Sequence, residues 1–298
     1  MRVIPFSIPK ESPEAFRVQV DELPRMYDHL HQHPEIQLTC IIKSEGTLLA
    51  GDYIGRFAPG DVFVLGSNQP HVFRNDDGYG RKGNTAKAIS VFFDENTLGK
   101  DFWQLPEMRQ LNYFIQNSHG GFKLMGKQKK IVGVMMEKMA DEKGVQKLIL
   151  FLNILSCFDK KKDLMVLSGS PLNKNLNSYD GKRLNRVLEF TFKEFQRPIE
   201  MFEIARLANL SVPAFCKYFK TRTRKTYIHF LQEIRIQHAV RLLHSADDSI
   251  SSIAYLSGFV NLSHFNRTFK TITGCTPSDY QKQNIFKTNL LDMSISNS

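Results

Sequence analysis

The chain of 298 residues has little of what marks secreted, membrane-embedded or cysteine-metal proteins. Its four cysteines, Cys40, Cys157, Cys216 and Cys275, lie far apart and form no C-x-x-C pair, which argues against a disulfide scaffold and a zinc site. No run of about 18 apolar residues occurs, and no basic segment followed by an apolar one opens the chain. We therefore expect a protein of the reducing cytoplasm.

A recognisable catalytic arrangement is also missing. We find neither a paired nucleophile and base nor a glycine-rich phosphate loop, so we predict that the chain is not an enzyme and uses no cofactor. The net charge of +10 is unevenly distributed, because residues 183–287 hold 16 Lys and Arg against 8 Asp and Glu. This basic excess fits a phosphate-facing surface, and a solvated basic face would explain it about equally well.

Residues 250–270 predict two short helices around a tight turn. Ile250, Ile253 and Ala254 fall at helical spacing, and Gly258 can adopt a positive φ where the chain reverses. Asn261 suits the N-cap of a second helix, whose outer face would be polar and basic. Two helices joined in this way describe a helix-turn-helix, a motif whose second helix can enter the major groove of DNA.

The same pattern occurs earlier in the chain. Residues 204–205 align with residues 253–254 at an offset of 49, and residues 211–223 align with residues 261–273 at an offset of 50. The slip of one residue falls inside the turn, where Asn209 takes the place of the glycine. Asparagine is the non-glycine residue most at home in the left-handed region. The duplication therefore predicts two motifs with the same backbone geometry.

The motif between residues 250 and 280 is long and correctly spaced. It reads Ile-x-x-Ile-Ala-x-x-Ser-Gly-Phe from Ile250, Ser-x-Phe-x-Arg-x-Phe-Lys from Ser263, and Gly-x-Thr-Pro-x-x-Tyr from Gly274. This motif resembles the signature of the AraC/XylS family of bacterial transcription regulators, strongly so over residues 183–285. The resemblance implies a sequence-specific regulator that binds double-stranded DNA as a homodimer, responds to a small-molecule effector and has RNA polymerase as a candidate partner.

The second helix of each motif supplies the candidate DNA contacts. Arg267 is the first candidate for direct readout, because a bidentate pair with guanine discriminates by roughly 1–3 kcal/mol; its alternatives are a phosphate contact or a salt bridge. The predicted base contacts are Val212, Pro213, Cys216, Lys217, Leu262, Ser263, Asn266 and Arg267. The predicted phosphate contacts are Ser211, Lys220, Arg222, Lys225, Asn261 and Lys270. The base contacts of the first motif are unusually apolar, so they would recognise thymine methyl groups or mainly support orientation.

Three further features concern the geometry of this half. Residues 183–195 predict an amphipathic helix that ends before Pro198. Arg224 stands where the family usually has a glycine after the second helix of the first motif. Residues 230–244 predict a long helix that joins the motifs rigidly. Such a connector would set the two reading helices about one turn of DNA apart, roughly 34 Å.

Between residues 36 and 93 the pattern changes to short β-type segments separated by turns, which is typical of a sandwich or small barrel. The predicted strands are residues 36–42, 47–50, 62–65, 71–73 and 88–93. His31-x-His33, Pro59-Gly60-Asp61 and Pro70-His71-x-x-x-Asn75 resemble the two motifs of a cupin barrel, the usual sensor module in this family.

We predict that His31, His33, Gln37 and His71 bind the effector at the barrel mouth, without a metal. Two alternatives stay open. The histidines could be structural residues at strand ends, or they could hold a divalent metal in a metal-binding sensor or enzyme. Metal cupins commonly have a glutamate where this chain has Gln37, a poorer ligand, although Glu35 stands nearby.

These observations predict an α+β chain of two domains. Residues 1–167 would form a cupin-like β-barrel for sensing and dimerisation, with a packed helical segment over residues 101–160. Residues 168–182 are polar and turn-rich and predict a flexible linker. Residues 183–288 would form an all-α DNA-binding bundle with two helix-turn-helix motifs joined by a long helix. The last residues, 289–298, would be a flexible tail.

Overall fold

The chain divides into two compact units, Met1–Asn185 and Arg186–Ser298. The first is rich in β-sheet and the second is helical, which confirms the predicted two-domain α+β class. No helix among the described residues is long and apolar enough to cross a membrane. The predicted tail, 289–298, lies outside the described part of the chain. The computed structural model describes residues 15–80, 84–158, 163–169, 178–245 and 248–282.

The first unit contains two antiparallel sheets. Its strands are β1 (Arg17–Leu23), β2 (Ile36–Lys43), β3 (Gly46–Ala50), β4 (Tyr53–Phe57), β5 (Val62–Leu65), β6 (His71–Asn75), β7 (Ala86–Phe93), β8 (Phe122–Leu124) and β9 (Leu164–Val166). The larger sheet has the order β1-β7-β2-β5-β8-β9, and the smaller sheet has the order β4-β3-β6. Over the described residues the two ladders do not join into a closed ring, so the barrel remains a prediction.

The central strand β2 is buried on both faces. Leu38 and Cys40 belong to the apolar core formed with the helices, whereas Ile41 belongs to a second core that contains residues of both sheets. Because side chains alternate along a strand, Gln37 and Thr39 lie on the same face as Ile41. Two polar side chains are therefore placed inside the space between the sheets, and both are buried.

Four helices complete the first unit: α1 (Lys100–Gln104), α2 (Arg109–Gln116), α3 (Gln128–Asp141) and α4 (Gly144–Ser156). Residues 102–116 do not form one continuous helix. Leu105 is extended, with φ −55° and ψ 138°, because the residue before a proline disfavours the helical region, and Pro106 follows it. Helix α3 packs on the larger sheet through Val132, Met136 and Met139.

The sequence prediction missed the strands β1, β4, β8 and β9. Both β8 and β9 are only three residues long, and β8 falls inside the segment predicted to be helical. Strands of this length carry too few residues for a period of two to be recognised. They form because β8 pairs with β5 and β9 pairs with β8, which extends the larger sheet.

The predicted linker, residues 168–182, is ordered at both of its ends. Ser168 is buried, and its N–H donates to the carbonyl oxygen of Gly120 at 2.9 Å, so the chain still belongs to the first unit there. Residues 178–182 already belong to helix α5 (Ser178–Glu194), which begins before the predicted start at Arg183. The intervening residues 170–177 lie outside the described part of the chain.

The second unit holds the remaining helices. They are the last part of α5, α6 (Met201–Leu207), α7 (Val212–Thr223), α8 (Tyr227–Ser245), α9 (Ile250–Leu256), α10 (Leu262–Thr273) and a final helical segment at 277–282. Helices α6 and α7 form the first helix-turn-helix, α9 and α10 form the second, and α8 joins them. Ile236 and Ala239 of α8 pack with Phe265 and Phe269 of α10 in one core.

The two motifs repeat each other at the level of single hydrogen bonds. Asn209 and Gly258 have φ angles of 54° and 85°, so both turns use the left-handed conformation, as predicted. The Oγ1 atoms of Thr223 and Thr273 each lie 2.8 Å from the carbonyl oxygen four residues earlier and 3.1 Å from the one two residues later. The second motif has one residue more in its turn than the first, and that residue is Val260, which is 79% exposed.

Arg224 ends α7 in the conformation that glycine adopts at the end of α10. Its φ is 59°, and the φ of Gly274 is 83°. The backbone N–H of Arg224 donates to Lys220 at 2.8 Å, and that of Gly274 donates to Lys270 at 2.9 Å. The departure from the family pattern therefore leaves the exit of the chain unchanged, at a conformational cost of about 1–3 kcal/mol.

Gly258 packs closely against the chain that follows α5. A Cβ atom at this position would lie 2.6 Å from the carbonyl oxygen of Phe195 and 2.9 Å from Nε of Arg235. Arg235 holds the same segment of backbone. Its Nε donates to the carbonyl oxygen of Phe195 at 2.8 Å, and its Nη2 donates to the carbonyl oxygen of Arg197 at 2.9 Å. The second turn is thus held both sterically and by hydrogen bonds.

We predict that Gly258→Ala destabilises the protein far more than Gly274→Ala. Both substitutions place alanine at a positive φ, which costs about 1–2 kcal/mol. Only the Cβ at position 258 meets backbone atoms, since nothing lies within 4 Å of a Cβ at position 274. We expect a loss of about 3 kcal/mol or more at position 258. Urea unfolding followed by far-ultraviolet circular dichroism measures both, and equal losses would contradict the role given to the close contact.

Candidate nucleic-acid interface and histidine cluster

Helix α7 presents an apolar N-terminal end to solvent. Ser211 caps the helix, with its Oγ accepting from the N–H of Ala214 at 3.4 Å, and Pro213 sits in the first turn, where no helical hydrogen bond is lost. Phe215 and Phe219 are fully buried on the opposite side. The predicted base contacts of this motif all reach the surface, Val212 in part and the others fully: Val212, Pro213, Cys216 and Lys217.

Helix α10 presents a polar surface at the matching positions. Oδ1 of Asn261 caps the helix by accepting from the N–H of His264 at 3.0 Å. In the described parts of the chain the Arg267 guanidinium forms no ion pair or hydrogen bond, so an internal salt bridge does not occupy it. The predicted base contacts of this motif are all exposed: Leu262, Ser263, Asn266 and Arg267.

The basic residues around these helices fall into two groups. Lys220 and Lys270 occupy matched positions and are exposed, and Arg222 is partly exposed. Lys225 differs, because its Nζ lies 2.6 Å from Oε1 of Glu233 and the two side chains are only 19% and 11% exposed. Breaking this pair would leave a buried carboxylate without its partner. The ion pair favours a structural role for Lys225 over the predicted phosphate contact.

Sequence reasoning missed a small cavity of about 230 Å³ beside Arg267, lined also by His229, Gln232 and His264. Nε2 of Gln232 lies 3.2 Å from Nε2 of His264. Gln232 belongs to the connecting helix α8 and to none of the repeated patterns, so the sequence gives no signal for it. The cavity places the three polar side chains of His229, Gln232 and His264 next to Arg267.

The first unit contains the second candidate site, in which His31, His33 and His71 meet next to Gln37. One ring nitrogen of each histidine lies within 4.8 Å of those of the other two, and all four side chains are buried. The backbones of His31 and His71 hold each other, since each N–H donates to the carbonyl of the other at 3.1 and 2.8 Å. The structure therefore brings together the four residues predicted as one site.

Each imidazole is oriented through Nδ1 by a backbone carbonyl oxygen. Such an oxygen can only accept, so Nδ1 carries the proton of the neutral ring. The three contacts are His31 to His29 at 2.9 Å, His33 to Glu35 at 3.0 Å, and His71 to Gln69 at 2.8 Å. The Nε2 atoms are then the ones with lone pairs.

Gln37 connects the cluster to further polar groups between the sheets. Its Oε1 lies 3.0 Å from Nε2 of His33 and 3.1 Å from Nε2 of His71. Its Nε2 donates to Oγ1 of Thr39 at 2.7 Å, and that hydroxyl lies 2.9 Å from Oγ of Ser90. An amide oxygen facing two imidazole lone pairs is satisfied in two ways: the amide reverses to present its NH₂ group, or a cation binds all three atoms.

Burial lowers the pKa of all three histidines. It takes the pKa of His31 to about 4, lowers that of His71 well below its usual value, and lowers that of His33. The neighbouring histidines lower the pKa of His31 and His71 further. At neutral pH the rings are therefore uncharged, which is the form that binds a metal or accepts a hydrogen bond.

The chain is similar to several known proteins. A family model described as a helix-turn-helix domain matches residues 204–283. An uncharacterised helix-turn-helix transcriptional regulator of Bacillus subtilis is 21% identical and covers 91% of both chains. A probable transcriptional regulator of Photobacterium leiognathi is 24% identical and covers 90% of this chain and 96% of its own. Among solved structures, a probable AraC family regulator from Rhodopseudomonas palustris is 26% identical, covers 35% of this chain and 97% of its own, and has a TM-score of 0.33.

The duplicated motif, the matching domain model and the relatives along nearly the whole chain define a DNA-binding transcription regulator of the helix-turn-helix class. Within that class, the motif from Ile250 to Tyr280 is of the AraC type, and the domain model matches the residues that carry it.

The histidine cluster predicts that the first unit loses stability on mild acidification. An unfolded histidine, with a pKa of about 6.5, gains a proton that folded His31 does not take up until about pH 4. Stability is thus retained above pH 6.5 and falls below it. From His31 alone we expect a loss of about 2 kcal/mol between pH 7.5 and pH 5.

Trp103 makes this measurable for the first unit alone. It is the single tryptophan of the chain and is buried in the core of that unit. Urea unfolding followed by its fluorescence, with a chelator present, should give the expected fall with pH. His31→Phe should flatten the pH dependence, and His119→Gln, at an exposed position, should leave it unchanged. A urea midpoint of the Trp103 fluorescence transition that does not change with pH in the wild-type protein would refute the prediction.

Proposed function

We propose that this regulator reads a specific DNA sequence by placing α7 and α10 in two successive major grooves. The observation that supports this docking is the matched pair of capped helices, each buried through two phenylalanines and exposed on the opposite side. Helix α8 has 19 residues, a length of about 28 Å, which is close to one turn of DNA at roughly 34 Å. Bending of the DNA can take up the difference.

The proposed contacts follow the exposed faces. Polar groups of α10 would read base edges, with Arg267 as a bidentate donor to guanine, and α7 would contact thymine methyl groups. The proposed base contacts are Val212, Pro213, Cys216, Lys217, Leu262, Ser263, Asn266 and Arg267. The proposed phosphate contacts are Ser211, Lys220, Arg222, Asn261 and Lys270.

Arg267→Ala should reduce sequence discrimination, because a bidentate contact to guanine is worth roughly 1–3 kcal/mol. Footprinting on the DNA that flanks the gene of this protein would locate a binding site. Fluorescence anisotropy then gives affinities for that site and for random DNA at several salt concentrations. We expect Arg267→Ala to weaken binding to the site about 10-fold or more while binding to random DNA changes much less.

Lys270→Ala provides the contrasting variant. Removing a phosphate contact should weaken binding to both DNAs alike and reduce the salt slope by about 0.9. Lys225→Ala should leave the salt slope unchanged, because its ammonium is held by Glu233. Equal affinity of the wild-type protein for its site and for random DNA at physiological salt would overturn the proposal of specific reading.

We place the dimer contact on the outer surface of α3 and α4. Apolar side chains stand exposed there: Ile131 at 50%, Val134 at 68%, Val145 at 70% and Ile149 at 43%. The two helices contact each other, and exposed apolar side chains of this kind mark sites of association. Sedimentation equilibrium should show a wild-type dimer and a monomer for Val134→Glu; a monomeric wild type would rule this surface out.

The first unit would act as the sensor of this cytoplasmic protein. A signal that binds one arrangement of the dimer better than another shifts the population toward the arrangement that fits DNA and RNA polymerase. The buried polar cluster His31, His33, Gln37 and His71 is the proposed effector site, since it is a group of convergent polar side chains in an apolar interior.

A divalent metal ion is a second candidate signal, favoured by the protonation pattern of the cluster. Each Nδ1 is bound to a backbone carbonyl, the arrangement that orients metal-binding histidines. The three Nε2 lone pairs and Oε1 of Gln37 then form a set of four donors. A carboxylate lies nearby, because Oε2 of Glu35 is buried without a hydrogen bond, 3.5 Å from Nδ1 of His33.

Zinc and cobalt titrations of chelator-treated protein test this candidate. We expect one equivalent bound, with visible absorption for cobalt, and a loss of affinity of about 10-fold or more for His33→Ala. His119→Ala, at an exposed position, is the matched control. The absence of stoichiometric metal, or unchanged binding by His33→Ala, would remove the metal candidate and leave the organic effector.

A further inference from the structure

A cavity of about 870 Å³ lies in the first unit between α2 and the paired strands β8 and β9, and none of the clustered histidines lines it. Its lining includes Phe114, Phe122, Phe158 and Leu164. The ring of Phe114 stacks on Phe122 and on Phe158, with centroids 5.5 and 5.1 Å apart and interplanar angles of 29° and 23°. The cavity is therefore lined on one side by a cluster of stacked aromatic rings.

Arg109 supplies a positive charge to the cavity from the first residue of α2, and His119 lines it from the turn before β8. Within the described parts of the chain, no carboxylate lines the cavity. Arg109 is exposed, and among the residues that the structure describes its guanidinium has no hydrogen-bond or ion-pair partner. An apolar concavity of this size with a few polar groups has the dimensions of a small-molecule site.

We propose that this cavity binds a small organic carboxylate with an apolar body. The planar guanidinium of Arg109 matches a carboxylate in a bidentate pair. The apolar side chains of the lining match a hydrocarbon body, because removing apolar surface from water is favourable. The inference deepens the sensor role proposed for the first unit, and it places the site for an organic anion outside the histidine cluster.

The wall of the cavity is connected to the histidine cluster through one residue. The carbonyl oxygen of Gly120, which lines the cavity, accepts from Nε2 of Gln69 at 3.0 Å. The carbonyl oxygen of Gln69 in turn contacts Nδ1 of His71 at 2.8 Å. A ligand that moves the turn at Gly120 would thereby act on the orientation of His71, so one site can influence the other.

Calorimetric titration of the full-length protein with 2-naphthoate tests the inference, with 2-naphthamide as the neutral probe of the same shape. We expect one naphthoate bound per chain. The amide should bind about 10-fold more weakly, since it lacks the charge-assisted pair. Arg109→Met should weaken naphthoate binding by a similar factor and leave amide binding unchanged. Val166→Glu, at a position lining the cavity that is 57% exposed, should weaken naphthoate more than the amide.

Two variants make the result specific. Arg206→Met removes an exposed arginine of the second unit and should leave naphthoate binding unchanged. Arg267→Ala should bind naphthoate normally even where it has lost DNA discrimination, so failure of the DNA-reading proposal and failure of this one are distinguishable. No binding at about 1 mM naphthoate, equal binding of the amide, or full affinity in Arg109→Met would each overturn the proposed site.

Discussion

The left-handed backbone at the two helix-turn-helix turns is the constraint on which the DNA-binding half depends. Asn209 and Gly258 reverse the chain in the same conformation, and a capping side chain then starts the next helix at once. With the turn and the cap both fixed, the rotation of each second helix is fixed as well. Its phenylalanines must point inward, and its polar or basic residues must point outward.

In the first unit the main constraint is different, because polar side chains are buried in the apolar space between the two sheets. Gln37, Thr39 and Ser90 bond to one another, and each histidine of the cluster bonds to a backbone carbonyl. Unsatisfied, these groups would each cost about 1–3 kcal/mol. A stable fold alone is served more simply by leucine or valine at such positions, so their presence favours a role in binding.

The sequence was most informative where patterns repeat. Two copies of one motif predicted the helices of the second unit, the left-handed conformation at position 209 and the exposed faces of α7 and α10. Long-range pairing could not be predicted from the sequence: β8 forms along the edge of β5, and β9 forms along the edge of β8. The ion pair that holds Lys225 was hidden for the same reason, since nothing in the local sequence marks Glu233 as its partner. The cavity beside α2 likewise unites distant segments, so no local pattern reveals it.

The two motifs share a backbone but not a surface. The first presents valine, proline and cysteine, the second presents serine, asparagine and arginine, and only the second has the extra, exposed Val260 in its turn. The two ends of the helical unit therefore expose different side chains, which gives the unit a direction. In the proposed docking, a DNA stretch that fits the chain in one direction would not fit it in the other, so a single copy of the chain would define an upstream and a downstream side at a promoter.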